Sequence, residues 1–490
     1  MSSAEKGVVA AGHPVTAEAG AAVLREGGNA VDAAVAAMLA SFAAEPLLTG
    51  LGAGGYMLVA GGDWDPALLD FFVEAPSHQG HGGGAELKAV DVSFGDAVQT
   101  FFIGPASCGV YGAPAGVCTA AARWGMVPLE RLAERAAALA REGVVMNRSQ
   151  AYVAEILSDL LISTPECAAL YAPEGRVLRE GELLRNPELA EALLRLGRDG
   201  ARDFYEGETA AAAVEWLASH GGSMTRADLA GYRAVLREPV RVSYRDREIL
   251  TNPPPSAGGI LLAYALGLLD RVPAPPPLAS VVAAMNAAQD ERTPAFMEGL
   301  EGDDFQARFL ASRLGSTTHI SVLDGEGHAC SVTCTNGEGS AVVVPGTGIH
   351  LNNMMGEQDL NPFGFHLHAP GRRMPSMMAP TVVTCADEVE LVLGSAGSNR
   401  IRSALLQTVI GVVDHGLGAA AAVEAPRMHV EEGVLFAEPG IDLSGVDEQH
   451  PVVRFGAPNL FFGGVQAALR RDGELSGAGD PRRGGVAVVA

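Results

Sequence analysis

The strongest constraint on this chain is an abrupt change of texture after Ser316. Up to that point the sequence is rich in alanine and glycine and carries helical periodicity. Beyond it, Thr317-Thr-His-Ile-Ser-Val-Leu and His328-Ala-Cys-Ser-Val-Thr-Cys-Thr are alternating, β-branched runs joined by Asp324-Gly-Glu-Gly. Two such runs around a glycine-bearing turn predict a β-hairpin. With Gly325, Glu326 and Gly327 as the loop, Asp324 pairs with His328, and counting back along both strands sets Thr317 opposite Thr335. Two hydroxyls then meet at the open end of the hairpin, where a long connector arrives.

Ahead of the hairpin the pattern is mostly helical. Gly28-Asn-Ala-Val-Asp32-Ala-Ala-Val-Ala-Ala-Met-Leu-Ala puts Asn29 and the Asp32 carboxylate at a helix start, followed by small residues suited to close packing. Thr49-Gly-Leu-Gly-Ala-Gly-Gly-Tyr-Met-Leu-Val-Ala reads as a glycine-dense turn feeding an apolar strand, and its spacing does not match a phosphate-cradling loop. Helices follow one another from Pro128 to about Leu236, as in Leu129-Glu-Arg-Leu-Ala-Glu-Arg-Ala-Ala-Ala-Leu-Ala-Arg. Asn252-Pro-Pro-Pro-Ser-Ala-Gly-Gly259 breaks the chain before a helix over 260–270. A polar, Pro- and Ala-rich flexible connector is predicted over 271–316, with the acidic tract Glu298-Gly-Leu-Glu-Gly-Asp-Asp in an exposed loop.

With 490 residues, 48% of them hydrophobic, the chain can bury a large core, as roughly two to four domains or as one layered sandwich. Acidic residues outnumber basic ones, 58 to 34. That balance argues against nucleic acid, whose phosphates need clustered Lys and Arg, and against an anionic membrane surface. The six cysteines, Cys108, Cys118, Cys167, Cys330, Cys334 and Cys385, have neither disulfide-framework nor zinc spacing and are expected to be reduced thiols. The first residues lack the apolar core of a secretory signal, and no run approaches the ~20 apolar residues that span a bilayer, so a cytoplasmic protein is expected.

A threonine hydroxyl becomes a nucleophile once a base takes its proton. Making the threonine the first residue of a chain supplies that base, because its α-amine, with a pKa of about 7.7–8.0, is substantially neutral near physiological pH. The peptide bond before the threonine must then break: the hydroxyl attacks the preceding carbonyl, forms an ester, and water hydrolyses it. Ser316, Thr317, Thr318 and Thr335 supply a strand residue behind a flexible connector and hydroxyl neighbours to hold the oxygen. Threonine pairs are equally ordinary strand residues, so the pattern alone leaves both readings open.

The segments around the hairpin resemble the γ-glutamyltransferases, and the resemblance spans most of the chain. Thr317-Thr-His-Ile-Ser-Val-Leu-Asp is similar to the start of that family's small subunit, and Gly346-Thr-Gly-Ile-His-Leu-Asn-Asn to the segment after its lid region. Ser376-Met-Met-Ala-Pro-Thr381 and Gly394-Ser-Ala-Gly-Ser-Asn-Arg400 resemble two further small-subunit motifs, and Gly477-Ala-Gly-Asp-Pro-Arg482 the closing one. In the large subunit the similar segments are Gly27-Gly-Asn-Ala-Val-Asp-Ala-Ala, Gly52-Ala-Gly-Gly-Tyr-Met, Asp199-Gly-Ala-Arg-Asp-Phe-Tyr-Glu-Gly and Pro254-Pro-Ser-Ala-Gly-Gly.

The resemblance implies an α+β fold of N-terminal-nucleophile hydrolase type, a four-layer αββα sandwich with two antiparallel sheets flanked by helices. It also implies self-cleavage between Ser316 and Thr317 into segments 1–316 and 317–490, which together form one αββα unit able to assemble as a dimer of heterodimers. Thr317 is then the nucleophile, Thr335 its hydrogen-bonding partner, and the backbone N–H groups of Gly397 and Ser398 the oxyanion hole. Donors fixed at a developing oxyanion are worth ~3–4 kcal/mol each.

The departures from the family concentrate in its γ-glutamyl pocket. Phe72, within Asp70-Phe-Phe-Val-Glu, stands where the family has a carboxylate-binding arginine, and Gly337 replaces an asparagine. Met354 stands for a glutamine, Glu357 for the amine-binding aspartate, and of two adjacent serines Ser376 remains while the other is Met377. A more apolar pocket follows, in which Glu357 still suits an amine and Arg372, Arg373 or Arg400 a carboxylate approaching from another direction. His366-x-His368 and His78-x-x-His81 lie in Gly/Pro-rich loops without the supporting ligands of a closed site, so no metal and no cofactor is assigned.

The expected activity is amide hydrolysis or acyl transfer through a threonyl ester. It acts on γ-glutamyl-type or other acyl-amide small molecules, with water or an amine as acceptor and poor turnover of standard γ-glutamyl compounds such as glutathione. Two alternatives stay open at this point. One is a biosynthetic relative that cleaves a non-standard bond, C–C bonds included, with the same nucleophile; the other is an unprocessed, non-enzymatic relative.

Overall fold

The strands of the second half pair as the alternating pattern requires. The computed structural model describes residues 5–77, 87–93, 98–291, 318–361, 364–446 and 450–490. In it Thr318–Asp324 and Ala329–Thr335 form an antiparallel hairpin, with Thr318 opposite Cys334 and Leu323 opposite Ala329. The Asp324 N–H donates to the His328 carbonyl at 3.0 Å, which leaves 325–327 as the loop. The Asp324 carboxylate closes the turn by accepting from the N–H groups of Glu326 (3.0 Å) and His328 (2.9 Å) and, across the fold, of Ala30 (3.1 Å).

The hairpin lies at the middle of a seven-stranded antiparallel sheet. Across it run Val486–Val489, Gly7–Ala11, Thr318–Asp324, Ala329–Thr335, Gly54–Gly61, Trp64–Phe71 and Val235–Arg237. A second, six-stranded antiparallel sheet runs Glu474–Gly479, Gly464–Arg471, Glu388–Ala396, Thr381–Cys385, Arg247–Thr251 and Val240–Tyr244. Ile320, Val322, Cys330 and Val332 pack on one side of the first sheet with Val35 and Leu39 of the helix Ala30–Ala44. Leu323 and Ala329 point the other way and join Leu58, Val382, Val392 and Ala468 between the sheets. Leu391, Leu393 and Val465 on the far face of the second sheet meet the helices Gly258–Leu269 and Arg400–Val413. The layers are helix, sheet, sheet, helix, the αββα sandwich the resemblance implies.

Local signals account for the best-buried helix. Asn29 and Asp32 form a capping box, each side chain bonded to the other's backbone, and all 15 residues of Ala30–Ala44 are buried. A helix apolar on every side belongs in the interior rather than on the surface. Within the connector predicted over 271–316, Leu278–Asp290 is a helix that buries Val281, Val282, Met285 and Ala288 in the outer core of the second sheet, and 292–316 lie outside the described residues. Those positions have helical spacing, and the neighbouring prolines and the alanine content disguised it. The acidic tract from Glu298 lies outside the described residues. All six cysteines are unpaired, and no described helix is long and apolar enough to cross a membrane.

The sheets approach closely where His319 meets Gly394, at which an added Cβ would lie 2.2 Å from the imidazole. The ring bonds to Thr333 Oγ1 and Ser321 Oγ, both at 2.9 Å, and burial pushes its pKa down to about 3. The unfolded chain takes up this proton near pH 6.5, so between these values the unfolded state binds more protons. The stabilisation is therefore complete above pH 6.5 and is lost as pH falls toward 3, at up to about 1.4 kcal/mol per pH unit. His319→Gln is expected to flatten the acid limb of the stability curve by about one proton, read from denaturant midpoints between about pH 4 and 6.5. An unchanged slope contradicts the assignment.

The C-terminal turn is held by buried charge. Asp480 pairs with Arg427 at 2.6 Å and with Arg482 at 3.2 Å, and Arg482 also pairs with Glu438 at 2.6 Å. Removing one member strands its partners in the interior. Asp480→Ala should cost ~3–5 kcal/mol in equilibrium unfolding.

Candidate active site

Two strand ends, one from each sheet, meet at a cavity. Thr335 closes the Ala329–Thr335 strand, and its Oγ1 accepts from the Gly337 N–H at 2.7 Å. Gly337 has φ +67°, and a Cβ there would fall 2.1 Å from both Asn353 Oδ1 and Glu357 Oε1. From the other sheet Glu388–Ala396 runs into Gly397 (φ +125°) and Ser398 (φ +53°), which turn the chain into the helix Arg400–Val413. Serine in this left-handed region carries strain on the order of 1–3 kcal/mol. A Cβ on Gly397 would lie 2.6 Å from Gly463 Cα, so only glycine fits. Thr335, Gly337, Glu338, Gly397, Ser398, Arg400 and Arg483 line the cavity together, and Leu47, Leu48, Val153, Ile156, Leu157 and Leu460 give it an aliphatic wall.

Three charged side chains line the cavity: Arg400, Arg483 and Glu338. The positive end of the Arg400–Val413 helix opens onto it. Arg400 donates through Nε to the Phe461 carbonyl at 3.1 Å and lies 4.6 Å over the Phe461 ring. Arg483 reaches the Leu460 carbonyl at 3.4 Å, and its buried Nε has no hydrogen-bond partner among the described residues. Burial, reinforced by the charge of Arg400, lowers the Arg483 pKa to about 10, which leaves it cationic at neutral pH. Behind the turn, the Glu431 carboxylate accepts from Asn399 Nδ2 and lies 3.5 Å from His429 Nε2, while His429 Nδ1 bonds to Ser403 Oγ at 2.8 Å.

The other residues singled out in the sequence divide. Glu357 is buried beside Gly337, one layer behind the cavity. Phe72 and Met354 both lie in the apolar cluster between the sheets, with Met374 and Met378, and Phe72 stacks on Tyr56 at 5.5 Å. Met377, expected in the same pocket, is instead in the outer core with Ala257 and Ile260, because consecutive residues of an extended segment face opposite ways. The Ser376 hydroxyl is engaged locally, accepting from the Met378 N–H at 3.0 Å. Arg372 is exposed. Arg373 is engaged by Asp70 at 3.5 Å and Glu74 at 3.1 Å. His368 bonds to the Leu360 carbonyl at 3.0 Å, and His366, two residues earlier, is half-buried. Ser316, Thr317, His78 and His81 lie outside the described residues.

Sequence reasoning did not single out Arg483 or Glu45. Arg483 follows the closing motif by one residue, which was its only signal. Glu45 is the carboxylate that ends the apolar helix Ala30–Ala44; it is buried, accepts from Thr16 Oγ1 at 2.7 Å and Thr318 Oγ1 at 3.3 Å, and is pushed up to about 7 by burial.

A sequence model of the family described as Gamma-glutamyltranspeptidase matches residues 16–301 and 283–490. The acylase ACY 1 proenzyme of Pseudomonas sp. (strain SE83) is 32% identical over 533 residues, covering 99% of this chain and 94% of the relative. The glutathione hydrolase proenzyme of Escherichia coli (strain K12) is 30% identical over 538 residues, covering 98% and 91%. The crystal structure of a cephalosporin acylase from Bacillus halodurans superposes with a TM-score of 0.84 at 25% identity, over 99% of this chain and 96% of that one. Full-length similarity to these proteins, on a four-layer fold with a cavity between its sheet ends, establishes that the chain is an enzyme of the γ-glutamyltranspeptidase family.

Proposed function

We propose that this protein cleaves itself between Ser316 and Thr317 and then uses Thr317 as an N-terminal nucleophile to cut amide bonds through an acyl-enzyme. The observation that carries the reading is the convergence of Thr335, Gly397 and Ser398, from different sheets, on one cavity. The hairpin register supports it, since Thr335 is the position that follows Cys334, the partner of Thr318. In this reading Thr335 steadies the nucleophile's oxygen, and the backbone N–H groups of Gly397 and Ser398 receive the charge that develops on the substrate oxygen. The word proenzyme in the relatives' names supports processing into chains 1–316 and 317–490. The unpaired thiols fit a reducing compartment, and a cytoplasmic location belongs to the proposal.

The acyl group we infer is not a standard γ-glutamyl one. Side-chain space at position 337 is taken by Asn353 and Glu357, and Phe72 and Met354 pack into the core between the sheets. What lines the open space is an aliphatic wall with Arg400, Arg483 and a single carboxylate, Glu338. That combination suits an aliphatic acyl chain ending in a carboxylate, which pairs with guanidinium through charge-assisted hydrogen bonds. The name acylase among the relatives agrees with an acyl group other than γ-glutamyl.

Intact mass spectrometry of purified protein should give two chains, and Thr317→Ala one. A wild-type preparation that stays a single chain sinks the nucleophile assignment. Incubation with N-glutaryl-p-nitroanilide should add a glutaryl mass to the smaller chain, and γ-glutamyl-p-nitroanilide should turn over poorly.

Arg483→Leu should lower kcat/KM for the glutaryl anilide by roughly 10- to 100-fold, the worth of one or two charge-assisted hydrogen bonds, and leave the butyryl anilide nearly unchanged. Equal losses on both substrates would exclude carboxylate recognition by this side chain.

A further inference from the structure

The turn that carries Gly397 and Ser398 is braced from behind by side chains outside the cavity wall. Asn399 opens the helix Arg400–Val413, where asparagine ordinarily accepts from a free N–H of the first turn. Here its backbone is already helical (φ −53°, ψ −23°) and its side chain caps nothing. Asn399 Nδ2 donates instead to the carboxylate of Glu431, the last residue of the strand Met428–Glu431.

From that strand end a chain of contacts runs back to the same helix. Glu431 lies 3.5 Å from His429 Nε2 and 4.0 Å from Arg400. The His429 ring is buried, and its Nδ1 meets Ser403 Oγ at 2.8 Å, one helical turn beyond Asn399. A carboxylate facing Nε2 favours the ring proton there, which leaves Nδ1 to accept from the Ser403 hydroxyl. Burial lowers the imidazole to about 4; it pushes the Glu431 carboxyl up, but His429, Arg400 and Arg402 outweigh it and hold that group below the usual carboxylate range. At neutral pH the trio is therefore a carboxylate, a neutral imidazole and a hydroxyl. Those are the residue types of a hydrolytic triad, yet Ser403 is buried beside Leu261, Leu262 and Met285 in the outer core, where no substrate reaches it. What the trio grips is the first turn of the helix.

We propose that Glu431 is a positioning residue, which acts through Asn399 to hold the Gly397 and Ser398 N–H groups where the substrate oxygen becomes charged. The inference rests on the acyl-enzyme reading and the oxyanion role given to those groups above. The Arg400 N–H donates to the Gly397 carbonyl at 3.0 Å and the Ile401 N–H to the Ser398 carbonyl at 3.1 Å, so the turn and the helix start move together. Arg402 Nε donates to the Asn399 carbonyl at 3.2 Å and ties the same point to the helix. Ser398 at φ +53° keeps its strained conformation only while its surroundings fix it. Without the Glu431 carboxylate, Asn399 is released, the turn relaxes and its N–H groups leave their line. The acyl chain and its carboxylate bind to other parts of the cavity, so the loss falls on the transition state and not on ground-state binding.

The test uses the self-processed enzyme with N-glutaryl-p-nitroanilide and compares kcat with the inhibition constant of glutarate, a product that develops no oxyanion. Glu431→Ala should lower kcat roughly 10- to 100-fold, part of what a lost oxyanion donor costs, and leave the glutarate constant within about twofold of wild type. Affinity for 4-boronobutanoic acid, whose tetrahedral adduct carries a charged oxygen, should fall by a similar factor. Glu431→Gln keeps an acceptor for Asn399 and should restore kcat to within about threefold of wild type. Asn399→Ala should lose about as much as Glu431→Ala, and the double variant about the same, because the two side chains act as one. Should Glu431→Ala fail to fold, Asn399→Ala decides by the same two constants. Unchanged kcat overturns the proposal, as does a loss in Glu431→Gln equal to that in Glu431→Ala, or glutarate binding that weakens in step with kcat. If wild type forms no glutaryl adduct, the acyl-enzyme reading fails and takes this inference with it. An adduct with unmoved kcat in the variants removes the brace alone.

Discussion

The structure depends on the contact between two antiparallel sheets across the hairpin of 318–335. Every residue of both hairpin strands is buried, with Ile320 and Val322 under the helices and Leu323 and Ala329 between the sheets. At Gly394 the lack of a side chain makes room for the imidazole of His319 against the second sheet. That contact sets the spacing between the sheets, and the spacing sets where strand ends from each can meet. Thr335 at one end and Gly397 at the other become neighbours although 62 residues separate them, as their numbers show.

The turn at 397–398 pays for its position in backbone strain and recovers it in contacts behind. Ser398 sits at φ +53°, and Gly397 is pressed on Gly463. Asn399 is held by Glu431, Arg400 by the Phe461 carbonyl and ring, and the Arg400–Val413 helix is buried along most of its length. Strain that is over-determined in this way persists because the surroundings leave the chain no alternative conformation.

Much of this was legible in the residues and some was not. The hairpin and its register follow from β-branched alternation around a short glycine turn, and the Asn29–Asp32 cap from two side chains at fixed spacing. Both are local signals. The helix Leu278–Asp290 was hidden because three consecutive prolines, Pro275 to Pro277, precede it and alanines dilute its apolar stripe. Met377 was misplaced for a geometric reason: Met378 faces the space between the sheets, so its neighbour faces away. Arg483 and Glu45 acquire meaning only from what lies across from them. Arg483 meets Arg400 from 83 positions away, and Glu45 meets Thr318 from 273.

The two guanidinium groups at the cavity are the most telling departure from what stability alone would select. The pKa of Arg483 is lowered first by burial and then by the charge of Arg400, so holding the two groups together costs stability. The Asp480 and Glu338 carboxylates pull the Arg483 pKa back up without restoring it. Asp480 is committed to Arg427 and Arg482, and the nearest approach of Glu431 to Arg400 is 4.0 Å. A hydrophobic residue at position 483 would extend the aliphatic wall already formed by Leu47, Leu48, Ile156 and Leu460 and would remove a buried donor that lacks a partner. Two guanidinium groups and the Glu338 carboxylate share the cavity wall, so what enters meets charge of both signs beside the strained turn at 397–398. In the proposed reading, the energy given up by keeping an unpartnered Arg483 donor at the cavity is returned when the acyl carboxylate binds.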